Sequence, residues 1–208
     1  MEKLSKSEIN WVKSMLENLV RHGHIDPRGK SKEELQKEVR KYIEQSSRMR
    51  NIRVLSTIDH TSTLLEHARA FRRSGEYEAS CLFFAVWLGH WFNQMILIAG
   101  KKKRLTDSEI TQIIKETPFR GKSTWLFKIL DLRPINARHL KRIQQTTESR
   151  NAYVHYKWKA FDVDDVSETN EWENLKKLIH DLEKTVKYLH NWENQQIFHG
   201  RKSAIRRA

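Results

Sequence analysis

Three observations predict an all-α protein. Apolar residues recur at three- and four-residue intervals along most of the 208-residue chain. No stretch alternates convincingly with a period of two. Only 7 Gly and 3 Pro punctuate the sequence, so tight turns are few and helices long. The expected architecture is an up-and-down helical bundle with additional N-terminal helices. Its expected divisions are 1–48, an N-terminal helical extension; 49–197, the bundle; and 198–208, a basic and mobile tail.

Each element has its own signal. Ser5 and Glu8 fit a capping box, with Ile9, Val12, Leu16 and Leu19 following at helical spacing before Gly23. "GHIDPRGKS" reads as a turn. Ser31 and Glu34 repeat the box ahead of Leu35, Val39, Tyr42 and Ile43. A third helix is expected to carry Leu55, Ile58, Leu64, Leu65, Ala68 and Phe71 and to end near Gly75. Next comes "YEASCLFFAVWLGHWFNQMILIAG", the most apolar stretch. Ser80, His90, Asn93 and Gln94 inside it would be expensive at a bilayer centre, so it is expected to be a core helix, with no membrane involved. After the basic loop "KKKR", Thr106 and Glu109 open a short helix with Ile110, Ile113 and Ile114. "STWLFKILDL" reads as another apolar helix. Pro134 can start the next one, with Leu140 and Ile143. An acidic loop over 162–168 follows. The last helix has a stripe of Leu175, Leu178, Ile179, Leu182, Val186 and Leu189, with Trp172 and Trp192 expected in the core.

The formal net charge of +13 points to a polyanionic partner, nucleic acid first, with Lys101, Lys102, Lys103 and Arg104 as its candidate contacts. Cys81 is the single cysteine and excludes an internal disulfide. The start "MEKLSKSEIN" lacks the apolar core of a signal peptide, so a cytoplasmic location is expected. No Asp/Glu/His grouping has metal-ligand spacing, so no metal or cofactor is expected.

The chemistry concentrates in "TTESRNAYVHYKWK", residues 146–159. A chain of this composition gives about 0.04 Arg-Asn-x3-His runs by chance. On a helix Asn151 and His155 share a face, whereas Arg150 is displaced from His155 by about 140°. These residue types suit RNA cleavage, because RNA carries its own nucleophile in the 2′-OH. His155 titrates near neutral pH and can move a proton. Arg150 keeps its charge and can place two N–H donors on a phosphate. Asn151 can orient the imidazole or donate to the phosphate. Tyr156 and Lys157 are candidate substrate contacts. The simpler reading of Arg150 and His155 is a surface polar pair. His90 is either a contact to the same pocket or, more simply, a core histidine.

The run "RNAYVH" resembles the R-x4-6-H signature of the HEPN superfamily, in which Asn commonly follows the Arg. Its place, after a long apolar helix and before a terminal amphipathic one, is also similar, and the resemblance covers roughly residues 50–195. It implies a metal-independent endoribonuclease acting as a homodimer in a toxin–antitoxin or anti-phage setting, with a possible antitoxin or regulatory partner. Two other functions fit the same sequence: a non-catalytic HEPN-type module that binds RNA or nucleotide, and a helical adaptor.

Overall fold

The computed structural model describes residues 15–21, 23–48, 61–154 and 167–207. Among them there is no strand. The elements are α1 (15–21), α2 (Lys32–Arg48), α3 (Thr61–Ser74), α4 (Tyr77–Lys102), α5 (Asp107–Glu116), α6 (Phe119–Lys122), α7 (Trp125–Ile129), α8 (Ala137–Val154), α9 (Ser167–Phe198) and α10 (Lys202–Arg207). The fold is an all-α helical bundle.

The chain forms two compact units, each drawn from separate stretches. Met1–Thr57, Lys101–Arg104 and His190–Ala208 make one, and Ile58–Gly100 with Leu105–Leu189 make the other. In the first, Leu16, Leu19 and Val20 of α1 and Leu35 and Val39 of α2 are buried, as are Trp192, Ile197, Phe198 and Ile205. The Ser31–Glu34 capping box closes reciprocally. Glu34 N–H donates to Ser31 Oγ at 3.2 Å, and Ser31 N–H donates to Glu34 Oε2 at 2.6 Å. In the turn before it, Gly23 and Gly29 have φ of 76° and 69°, a region costly for any residue with a Cβ. Arg21 donates to Glu193 at 2.8 Å, joining α1 to the end of α9.

The second unit is built around α4. Phe84, Trp87, Phe92 and Met95 are almost fully buried there. The helix is long and apolar enough to cross a membrane by length and composition, and half of its most apolar window is buried inside the protein. Its polar residues find partners in neighbouring helices. Ser80 Oγ donates to the Ala68 carbonyl of α3 at 2.8 Å, and Lys122 Nζ donates to Asn93 Oδ1 at 2.9 Å. Arg69 of α3 forms a two-pronged contact with Glu183 of α9 at 2.9 and 3.0 Å. The Thr106–Glu109 capping box opens α5 as its spacing predicts. Gly100 is tightly enclosed, since an added Cβ would lie 2.8 Å from Ile110.

Four expectations need correction. The 198–208 segment does not hang free: α10 is helical, and Ile205 is 1% exposed. Arg201 bonds to the Pro27 and Lys30 carbonyls and Lys202 to Glu193, so two of its cations tie it down along with Ile205. Pro134 does not start α8. Asn136 does, its Oδ1 accepting the Arg138 N–H at 3.0 Å, because a side-chain acceptor stabilises the first turn and Pro134 offers none. "STWLFKILDL" yields only the five-residue α7, and Trp125 and Ile129 at its ends are 51% and 59% exposed. Trp172 is 40% exposed and edge-on to Tyr77, rather than in the core. Leu55, Ile58, the Ser5–Glu8 box and Asp162–Asp165 lie outside the described residues.

Candidate functional site

Helix α8 positions the motif. Its packed side is fixed by Ile143 and Thr146, both fully buried, with Thr146 Oγ1 donating to the Arg142 carbonyl one turn back at 2.8 Å. Cys81 Sγ lies 3.6 Å from the Thr146 carbonyl and ties α8 to α4. Four residues beyond Thr146 the helix emerges. Arg150 is half-buried, whereas Asn151, Tyr153 and Val154 are exposed. Arg150 Nη1 donates to Asn151 Oδ1 at 2.8 Å. One of the five guanidinium donors thereby fixes the side chain of the next residue, and the Asn amide nitrogen is turned away from the arginine. His155, Tyr156 and Lys157 lie outside the described residues.

His90 is not a core histidine. It is exposed, while Ser80 and Trp87 on the same helix are buried. With α4 apolar on nearly all sides, periodicity could not tell which thin sector of it faces water. Lys101 and Lys102 form the last turn of α4, rather than a loop. Lys103 and Arg104 follow in a turn where Arg104 takes φ 63°. All four are exposed.

The most developed polar cluster is one that the sequence left scattered. His139 stacks flat on Tyr188 of α9, with ring centroids 4.1 Å apart and planes within 9°. Its Nδ1 lies 3.1 Å from Thr185 Oγ1. One turn along α8, Arg142 donates to Asp181 Oδ2 at 2.8 Å. The Tyr188 hydroxyl accepts the Asn136 N–H at 2.9 Å. A sequence signal exists: His139 and Arg142 are three apart, and Asp181, Thr185 and Tyr188 are four and three apart, so both sets share a helix face. Burial, then Arg142 and Arg138, holds the imidazole below its ordinary pKa. Lys184 first, then Arg142, holds the Asp181 carboxyl low. These shifts keep His139 neutral and Asp181 charged, the states in which both serve packing.

Burial and the Glu78 carboxylate push the Cys81 thiol up to about 12, so it is no nucleophile near neutral pH. Among the described residues no three His, Cys, Asp or Glu side chains group as metal ligands. Two grooves flank α5, one lined by Asp107, Thr111 and Lys115 and the other by Leu105, Ile113 and Trp125. Neither includes Arg150 or Asn151. Comparison with known protein families, with curated proteins and with solved structures gives no match.

Proposed function

We propose that the protein is a metal-independent endoribonuclease of HEPN type that cleaves RNA through attack of the 2′-OH on the adjacent phosphate. The observation that carries the reading is the Arg150–Asn151 pair, hydrogen-bonded at the emerging end of α8 five and four residues before His155 in the chain. In this reading Arg150 holds the phosphate oxygens as negative charge builds. His155 takes the proton from the 2′-OH or returns one to the leaving 5′ oxygen. Asn151, held by Arg150, keeps the guanidinium aimed. The 2′ oxygen bonds to phosphorus as the bond to the 5′ oxygen breaks, which leaves a 2′,3′-cyclic phosphate and a 5′-hydroxyl. Attack and departure each require a proton transfer, and one His155 is a sparse supply. A two-fold homodimer would bring two copies of the motif around one phosphate. Tyr156, Lys157 and the exposed His90 are further candidate substrate contacts. The setting that fits is cytoplasmic growth arrest, of toxin–antitoxin or anti-phage type.

The test is incubation of the purified protein with total RNA in excess EDTA. The expected result is cleavage to the cyclic phosphate and 5′-hydroxyl ends, blocked by 2′-O-methylation at the cut position. Magnesium dependence with 5′-phosphate products would overturn the mechanism. RNA binding without cleavage would favour the non-catalytic module.

A further inference from the structure

The net charge of +13 is not spread over the chain. The unit formed by Met1–Thr57, Lys101–Arg104 and His190–Ala208 holds 21 Lys and Arg against 9 Asp and Glu, a net +12. The other unit, which contains α8 as far as Arg150 and beyond, holds 18 against 17, a net +1. The smaller unit has 80 residues and the larger 128, so size does not explain the imbalance.

Within the basic unit, three stretches remote in sequence come together. The Arg201 guanidinium donates to the carbonyls of Pro27 and Lys30. Asp26 is held by Arg28 through contacts of 2.6–3.0 Å, and its carboxyl also feels His199. Lys101–Arg104 belong to the same unit, where desolvation and then the Arg28 charge disfavour the ammonium form of Lys102. The turn around Arg28, the end of α4 and the start of α10 therefore gather cations in one unit, of which Arg28, Lys30 and Lys202 have carboxylate partners. Gathering like charges costs folding free energy unless something offsets it. A phosphodiester backbone does so, and releases its condensed counterions as it binds.

We propose that this unit is an anchoring surface for the sugar–phosphate backbone of RNA, held in a different compact unit from the Arg150–Asn151 end of α8. An anionic membrane is the weaker partner. A membrane-surface patch combines cations with apolar side chains that enter the lipid. Among the described residues the exposed large hydrophobics are Trp125, Ile129, Tyr153, Val154 and Trp172, and all five belong to the other unit. RNA is chosen over other polyanions on the strength of the proposed function, whereas the charge segregation stands without it.

The experiment compares two variants of identical net charge. K101Q/K102Q/K103Q removes three exposed cations from the basic unit, and K115Q/K128Q/K141Q removes three from the other. Binding of a fluorescein-labelled 2′-O-methyl RNA 20-mer is followed by anisotropy over a salt series. This probe has no nucleophile, so a failure of the cleavage chemistry does not touch the result. The first variant is expected to bind at least tenfold more weakly at about 100 mM salt, with the slope of log K against log salt shallower by about 2. The second is expected to stay within about twofold of the parent. A third variant, K37Q/R40Q/K41Q on α2, repeats the test within the basic unit should the first melt. Equal losses in the two matched variants would overturn the proposal, since binding would then follow net charge alone. Capture by vesicles of three parts phosphatidylcholine to one part phosphatidylserine, with no binding of the oligonucleotide, would also overturn it.

Discussion

Arg142 and Arg150 lie eight residues apart on α8, about two turns, and the helix uses them differently. Arg142 is 8% exposed and donates across to Asp181 of α9. It stands beside a histidine flattened on a tyrosine, and its Asp181 acceptor is also held by Lys184. Arg150 is half-buried at the emerging end, and its contact is to the adjacent Asn151. A buried guanidinium with an acceptor on another helix holds helices together. A guanidinium whose acceptor among the described residues is its own neighbour joins no two described elements. The difference teaches that residue type alone does not mark a site. What a side chain is bonded to, and whether that bond crosses between elements, separates a structural cation from one available for a ligand.

Breaking this comparison calls first for Arg150→Ala. Loss of a transition-state charge partner should lower RNA cleavage by at least about 10²-fold. Stability should stay within about 0.5 kcal/mol of the parent by urea denaturation, as for other substitutions outside the core. Arg150→Lys should be nearly as poor in cleavage, because a point charge cannot make the two-pronged phosphate contact. A variant that unfolds early, or one that cleaves at the parent rate, would remove Arg150 from the site.

Arg142→Met should show the reverse. It removes the bond to Asp181 while keeping much of the side-chain volume, and of the described ion pairs to Asp181 it leaves that of Lys184, 2.8 Å away. Loss of a partly buried charged hydrogen bond should cost about 1–3 kcal/mol. At temperatures where the variant remains folded, its cleavage rate should match the parent's. Were that rate to fall as far as for Arg150→Ala, the two arginines would share a role and the contrast would fail.

The end of α8 opposite Arg150 offers a smaller effect. Asn136 caps the helix through the Arg138 N–H, and Asn136→Ala should destabilise by about 1 kcal/mol in thermal or urea melts. Asn136→Asp should retain most of that stability, since its carboxylate accepts the same bond and suits the helix N-terminus. Equal losses in both variants would show that the Asn136 N–H contact to Tyr188 matters more than the cap.

Much of this fold was legible in the sequence, for reasons tied to particular residues. The two capping boxes, Ser31–Glu34 and Thr106–Glu109, depend only on four consecutive positions, and both form as spaced. The stripe from Ile179 to Leu189 buries one face because apolar residues at helical spacing have one way to leave water. What escaped depends on neighbours that no local pattern encodes. Trp172 and Ile129 look like core residues by type but are 40% and 59% exposed. His90 sits in a run so apolar that its exposed sector has no periodic signature. Ile205 is a lone apolar residue among cations, and only its tertiary surroundings bury it. For the candidate site, the sequence placed Arg150 and Asn151 together. It could not foresee their mutual hydrogen bond, which depends on rotamer choice rather than spacing.

The smallest expected effect concerns pH and sharpens the structural half of the comparison. Burial first, then the Arg142 and Arg138 charges, lowers the pKa of folded His139 below its ordinary 6.5. Its place in the first turn of α8, near the positive end of the helix dipole, acts in the same direction. The groups facing it from α9 are Thr185 and Tyr188, with Asp181 turned to Arg142 and Lys184. When pH falls through about 6.5, the unfolded chain therefore takes up the proton before the native protein does. The stability supplied by the neutral imidazole is present above that value. It is lost progressively below it, until the folded histidine also protonates. Asp181 and Glu183 act in a separate window, since their folded pKa values lie below the ordinary carboxylate range and their contribution disappears only in more acid solution. In His139→Gln, the fall in Tm between about pH 7 and pH 5 should flatten, while the steeper acid limb stays. Melting curves across that range provide the measurement. If parent and variant lose Tm in parallel between pH 7 and 5, His139 is protonated in the folded protein as readily as in the unfolded chain, and its stacked contact with Tyr188 then tolerates the charge.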